Sequence, residues 1–406
     1  MLRVLSVGNA YPPHHLGGYE VIAHGVTDEL IRQDAQVRVL TTDYRNTSVA
    51  ADELTPDIHR QLRWYWHNHM WPEMSGSMRH SLERHNARAF DAQLREFKPD
   101  VIAWWALGGM SLSLLERARR AGIPSVLFIL DYWPDYGLQH DQWLRMWRAR
   151  PGLGKLAERL TGIPTTLDLV NAGRWLFCSQ TMNDATLAMG IHPADSALLS
   201  PGVDGRFLAR GLTSRDKSVA AGPPAHWSGN LLYLGRVVEQ KGVLTAVEAL
   251  TRLPKDTTLK VVGDGDAGYR KTLSDRASEL GVSDRVQFAS AVSHEQTIDE
   301  YRAADALIFP VEWPEPFGLV PLEAMAVGVP VVATGRGGSA DYLEHGVNSL
   351  LFQAGEAAGL AAAIATLAVD SELRERLRAG GRQTAASHTA EAFNRAAAQE
   401  LAAAAS

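Results

Sequence analysis

Only one cysteine, Cys178, occurs among the 406 residues, so an internal disulfide is excluded. Its surroundings, RWLFCSQ, are apolar and suit a buried structural thiol better than a reactive one. That usage fits a reducing cytoplasm. Long apolar runs are also missing: nowhere do eighteen or so apolar residues follow one another without a charge, as a membrane-spanning helix requires. The opening stretch, MLRVLSVGNAYPP, has too short an apolar run for a signal-peptide core. The expectation is a cytoplasmic chain that at most touches a membrane surface. Surplus positive charge is lacking too, with 40 Lys and Arg against 46 Asp and Glu and a net charge of -6. A whole-molecule basic field for holding nucleic acid is therefore absent, and nucleic acid is not an expected partner.

What is present is ordinary globular composition, 46% hydrophobic and 21% charged, over a length that suits two domains. Short apolar strands ending near glycine alternate with helical patterns. LRVLSVG leads through a Pro- and Gly-rich loop into YEVIAHGVTDELIRQ, and the same rhythm recurs at QVRVLTT, PDVIAWWAL, IPSVLFIL and WLFCS. Continuous apolar strands alternating with helices predict a parallel sheet covered on both faces. The rhythm breaks over 205–229 and restarts at NLLYLG, TLKVVGDG, RVQFAS, DALIFP and PVVAT. The predicted division is an N-terminal domain over 1–204, a linker over 205–229 and a C-terminal domain over 230–385. A terminal helix over 386–406 follows, with the option of crossing back to the first domain.

Chemistry concentrates in two stretches of the second half. YLGRVVEQKG sets Arg236 and Lys241 after a strand, at the rim where such sheets bind ligands. A planar fork beside a movable point charge suits a diphosphate, although rim cations are as often plain surface charges. EPFGLVPLEAM opens a helix near Gly318, with Pro321 tolerated in its first turn. The free N–H groups there form an anion site, and Gly318 permits close backbone approach. Glu323 can grip vicinal hydroxyls or merely interact with the helix end; Glu315 can reach a sugar or stay exposed. Asp264 and Asp266 in GDGD read as turn formers rather than metal ligands.

Arg236, Lys241 and the Glu315 to Glu323 element, together with AYPPHHLGGYE, LSPGVDGRF and VVGDGD, resemble the retaining glycosyltransferase family 4 over about residues 1 to 355. The resemblance implies the GT-B fold: α/β, with two Rossmann-like doubly wound parallel-sheet domains facing a cleft, the first on the acceptor side and the second binding a nucleotide sugar. It implies a hexosyltransferase that moves a sugar from a nucleotide-diphosphate donor, UDP-sugar before GDP-sugar, to a hydroxyl of a carbohydrate, lipid-linked or small-molecule acceptor. By the same resemblance Arg236 and Lys241 neutralise the donor diphosphate, Glu315 binds the transferred sugar and Glu323 the ribose. Phe317, Gly318 and Leu319 present backbone N–H groups, Gly17 and Gly18 close over the diphosphate, and Gly263 and Ala291 border the nucleoside. No metal and no further cofactor are expected, because fixed cations and a helix end can balance the departing charge.

One position departs from the family pattern. Where a His-Asp pair is common after the strand SVLFIL, this chain has Leu130 and Asp131. Asp131 is then a candidate to supply the missing hydrogen bond, or only a cap. A noncatalytic nucleotide-sugar sensor, or an epimerase or hydrolase on the same fold, is the alternative. The first half is also aromatic-rich: nine of eleven Trp and ten of fourteen His precede residue 200, concentrated in RWYWHNHMW and DYWPDYGLQHDQWLRMWR. Such rings can form an acceptor pocket or simply pack loops and core. His67, His69 and His80 lack metal-ligand spacing.

Overall fold

At the centre of each sheet the β-branched and leucine runs become short strands whose side chains are nearly all buried, as strands covered on both faces require. The computed structural model describes residues 1–14, 16–46, 57–66, 70–212 and 226–406. The chain divides into two units, Met1–Ser200 with Phe393–Ser406, and Pro201–Ala392.

Among its described residues the first unit holds seven strands: β1 (Arg3–Gly8), β2 (Gln36–Thr42), β3 (Asp57–Leu62), β4 (Val101–Trp104), β5 (Ser125–Ile129), β6 (Arg174–Phe177) and β7 (Asp195–Leu198). They form one parallel sheet in the order 3-2-1-4-5-6-7. Strand order reverses between β1 and β4, so the loops leaving those two strands border the crevice where doubly wound sheets take ligands. Val4, Val101, Val126 and Phe128 of the sheet pack with Ala23, Val26 and Leu30 of the helix Gly18–Arg32. Phe393, Ala397, Ala398 and Leu401, from the helix Ala390–Ala404 at the far end of the chain, complete this core. Arg174 of β6 holds Glu400 of that helix at 2.5 Å.

The second unit holds β8 (Asn230–Leu234), β9 (Thr258–Val262), β10 (Val286–Ala289), β11 (Ala306–Phe309), β12 (Val331–Ala333) and β13 (Ser349–Leu351), all parallel in the order 10-9-8-11-12-13. Here the reversal falls between β8 and β11.

Two boundaries differ from expectation. The stretch predicted as linker begins with a helix, Gly205–Leu212, because Phe207 finds a fully buried seat edge-on to Tyr301. At its other end Trp227 packs against the second unit's core, under Arg374; residues 213–225 lie outside the described part. The helix expected from 386 starts at Ala390, after His388 and Thr389 pair in extended form with Val203. Among the described residues, no helix is long and apolar enough to cross a membrane.

Candidate active site

Two loops at the reversal of the second sheet are locked together. The loop after β8 ends in a tight turn, Glu239–Lys241, and passes into Gly242 at φ +68°. A Cβ there would stand 1.9 Å from the Pro310 carbonyl oxygen, so only glycine fits. Across this close approach Glu312 N–H donates to the Gln240 carbonyl at 3.0 Å, and Thr245 Oγ1 donates to Glu312 Oε1 at 2.6 Å. The result is a fixed meeting of Lys241 Nζ with Glu315 Oε2 at 2.5 Å. Trp313 Nε1 donates to the same oxygen at 2.7 Å, and the Lys241 ammonium lies 5.5 Å from the Trp313 ring centroid. Burial pushes the Lys241 pKa down; Glu315 opposes that, and the nearby charge of Arg236 adds to it. The Arg236 guanidinium itself is exposed and makes no hydrogen bond or ion pair among the described residues.

The backbone of Glu315 is pinned from the other side. Gly338 N–H donates to its carbonyl at 2.6 Å, and Gly337, at φ +73°, comes so near that a Cβ would lie 2.2 Å from Glu315 N. The helix Leu319–Val327 follows, with Gly318 at φ +86° as its N-cap. No side chain caps it and no acid stands in its first turn. By contrast Ser75, Ser179, Asp266, Ser293 and Asp370 each cap their own helices. Orphan N–H groups and the helix dipole therefore face the end of β11 uncompensated. One turn in, Glu323 accepts a hydrogen bond from the Tyr301 hydroxyl at 2.9 Å. Burial pushes its carboxyl up to about 7, with Tyr301 pulling down and the charge of Asp204 pushing up.

The structure thus assembles Arg236, Lys241, Glu315, Gly318, Leu319 and Glu323 at one sheet edge. Phe317 is adjacent, but its ring is buried against Tyr342 and His388, leaving only its backbone to face a ligand. Gly263 and Ala291 follow the neighbouring strands β9 and β10. Gly263 packs against the Gly235 carbonyl, where a Cβ would stand at 1.9 Å. The Ala291 N–H is already given to Asp264 at 3.1 Å. Asp266 caps the next helix through Tyr269 N at 2.7 Å. Sequence reasoning missed Trp313 and Tyr301, which orient the two glutamates; the signal for Trp313 was its place two residues before Glu315.

In the first unit Gly17 and Gly18 open the helix Gly18–Arg32, exposed after β1. A Cβ on either would meet nothing within 4 Å among the described residues. Glu20, a buried neighbour not singled out from the sequence, donates nothing but accepts from Gly17 N–H at 3.0 Å, and burial pushes it up to about 6. The pattern GGYE, a glutamate at the third helical position, was its legible signal. Tyr19 donates to the Phe128 carbonyl and accepts from Leu130 N–H at 3.2 Å, tying this loop to the end of β5. Asp131 follows, with Oδ1 accepting from Trp133 N–H at 3.1 Å and Oδ2 from the Tyr136 hydroxyl at 2.6 Å.

The two aromatic segments are divided in role. Trp64, Trp133 and Trp143 are buried and pack the fold. Trp71 and His140, partly exposed, stack at 4.6 Å with rings 5° from parallel, and Tyr136 lies 6.1 Å from Trp71. The His80 ring sits 6.0 Å from that of Trp143; His67 and His69 lie outside the described residues. Among the described residues, no three His, Cys, Asp or Glu side chains are grouped as metal ligands would be.

Two parallel sheets, each with a loop-built edge at its strand reversal, define a GT-B glycosyltransferase fold. Sucrose-phosphate synthase from Thermosynechococcus elongatus is similar at TM-score 0.70 and 19% identity over 98% of each chain. Anabaena Alr3699/HepE in complex with UDP and glucose is similar at TM-score 0.69 and 20% identity, over 99% of this chain and 100% of that one. In sequence, glycogen synthase of Mycobacterium tuberculosis is 26% identical over 399 residues, 94% of this chain and 90% of its own. A lipopolysaccharide core biosynthesis glycosyltransferase, LpsE of Rhizobium meliloti, is 38% identical over 154 residues, 38% of this chain and 44% of its own. The model for Glycosyltransferase Family 4 matches residues 16–206 and that for Glycosyl transferases group 1 matches residues 222–384. The chain belongs to the group 1, family 4 glycosyltransferases, and it is an enzyme of that kind.

Proposed function

We propose that the enzyme transfers a hexose from a nucleoside diphosphate sugar, UDP-linked before GDP-linked, to an acceptor hydroxyl with retention at the anomeric carbon, in the cytoplasm. The observation that carries this is the Lys241–Glu315 pair set beside the uncapped helix end and the exposed Arg236. As the glycosidic bond breaks, negative charge gathers on the diphosphate. Arg236, Lys241 and the orphan N–H groups after Gly318 are in place before that charge appears, which is where electrostatic catalysis is strongest. Glu315, oriented by Lys241 and Trp313, grips hydroxyls of the sugar, and Glu323 accepts the two ribose hydroxyls. With the protein supplying the cations, turnover requires no added divalent metal. Retention is the outcome the family resemblance implies. In the first unit, the open space over Gly17 and Gly18 suits close approach of a diphosphate, and Asp131 takes the place left by Leu130 in holding the sugar.

Calorimetric titration with UDP, GDP, ADP and their glucose conjugates tests the donor reading. A ligand at a hundred times its dissociation constant adds about 2.7 kcal/mol of stability, which a thermal scan also resolves. UDP is expected to bind, and Lys241→Ala to lower turnover about 100- to 1,000-fold at saturating donor. Binding by none of the nucleotides, or near-normal turnover of Lys241→Ala, overturns the reading; proton NMR of the product's anomeric centre decides retention.

A further inference from the structure

The first unit carries a second concavity of about 870 Å³, between the helix Gly76–Phe97 and the segment from β3 onward. Although the chain is acidic as a whole, Arg60, Arg63, Arg84 and Arg88 line this groove, with Asp43 as the acid among the described lining residues. Asp43 already accepts from Trp64 N–H at 3.2 Å. Arg63, Arg84 and Arg88 are exposed, and their guanidiniums make no hydrogen bond or ion pair among the described residues. Elsewhere in the unit Arg3, Arg117, Arg119, Arg120 and Arg174 are all paired with carboxylates.

The convergence is built into the backbone. Arg84 and Arg88 stand one turn apart on the helix and share a face. Between them Asn86, buried, accepts from Arg63 N–H at 2.7 Å and donates to the Arg63 carbonyl at 3.1 Å, so the third arginine is fastened opposite the same turn. His85 Nε2 adds a bond to the Gln61 carbonyl at 2.9 Å. Two of the helix's three acids are engaged elsewhere. Glu83 is buried, takes a hydrogen bond from Ser113 Oγ at 2.7 Å and is pushed by burial well above the usual carboxylate range; Asp91 is held by Arg117. Like charges on one face repel, so three guanidiniums, none of them paired with a carboxylate among the described residues, are suited to an anion. Planar forks match phosphate oxygens two at a time, and the volume suits a small-molecule ligand rather than a flat surface.

We propose that this groove seats the phosphate of a phosphorylated acceptor, an inference that rests on the reading of the chain as a nucleotide-sugar transferase with its acceptor on the first unit. The test is calorimetric titration of the full chain with a hexose monophosphate, the free hexose and inorganic phosphate, alongside phosphatidylglycerol vesicles. Parent, Arg84→Gln/Arg88→Gln and Arg63→Gln proteins are compared. The phosphate-bearing probes are expected to bind the parent, with affinity falling as salt is raised. Both variants should weaken them at least tenfold and leave UDP binding unchanged; circular dichroism checks that the variants fold. Equal binding by the variants, no binding of either phosphate probe, or binding of vesicles alone overturns the proposal. The UDP titration of the same samples reports separately on the donor reading, so the two failures are told apart.

Discussion

Glu323 carries a proton into the neutral range because burial disfavours its charge, up to about 7 from an ordinary 4.5. A carboxyl raised on folding stabilises the protein fully below its unfolded value, and that contribution is lost as pH rises through about 7. Glu323→Gln should therefore lose about 1–3 kcal/mol less stability than the parent between pH 4 and 8, seen in denaturation midpoints. UDP affinity of the parent should also rise through pH 7 as the carboxylate forms, and stay flat in the variant. Parallel curves on both counts would remove Glu323 from the ribose role. The identities of Lys241 and Glu315 were legible from their motifs. Their contact at 2.5 Å was not, because it joins loops 74 residues apart through a glycine contact that no local pattern encodes.

Elements explain which glycines serve the fold and which serve a ligand. Gly242 is needed by the β8 and β11 loops themselves, so Gly242→Ala should cost about 1–3 kcal/mol and also displace Lys241, reducing turnover. Gly17 and Gly18 have empty space around them; alanine at either should alter stability by under about 0.5 kcal/mol yet weaken donor turnover. Thermal midpoints beside initial rates distinguish the two classes, and a large midpoint loss in the Gly17 or Gly18 variants would contradict the ligand argument. Strands and their parallel pairing were readable because unbroken apolar runs have few other uses. The helix Gly205–Leu212 was hidden in a Gly- and charge-rich stretch, since Phe207 alone anchors what composition described as linker. The arginine groove was hidden likewise: only Arg84 and Arg88 are neighbours in sequence, and Asn86 fastens the Arg63 backbone beside their helix.

Taken across the whole molecule, the first unit is assembled from the two ends of the chain, residues 1–200 and 393–406. Removing 393–406 deletes Phe393 and Leu401 from a shared core, a loss on the order of 5–10 kcal/mol that rivals a domain's entire stability. Limited proteolysis of such a truncated chain should cut the first unit rapidly while the second still binds UDP; an intact first unit would show that the helix is dispensable. The same arrangement orders events during synthesis. At roughly 5–20 residues per second, the 1–200 segment waits roughly 10–40 s for the second unit to be made before its last helix exists. Until then its apolar seats stay open. The second unit, contiguous in the chain, is thus the first that can finish folding, which reverses the usual N-terminal-first order of maturation and makes the nascent first unit the natural client of a chaperone.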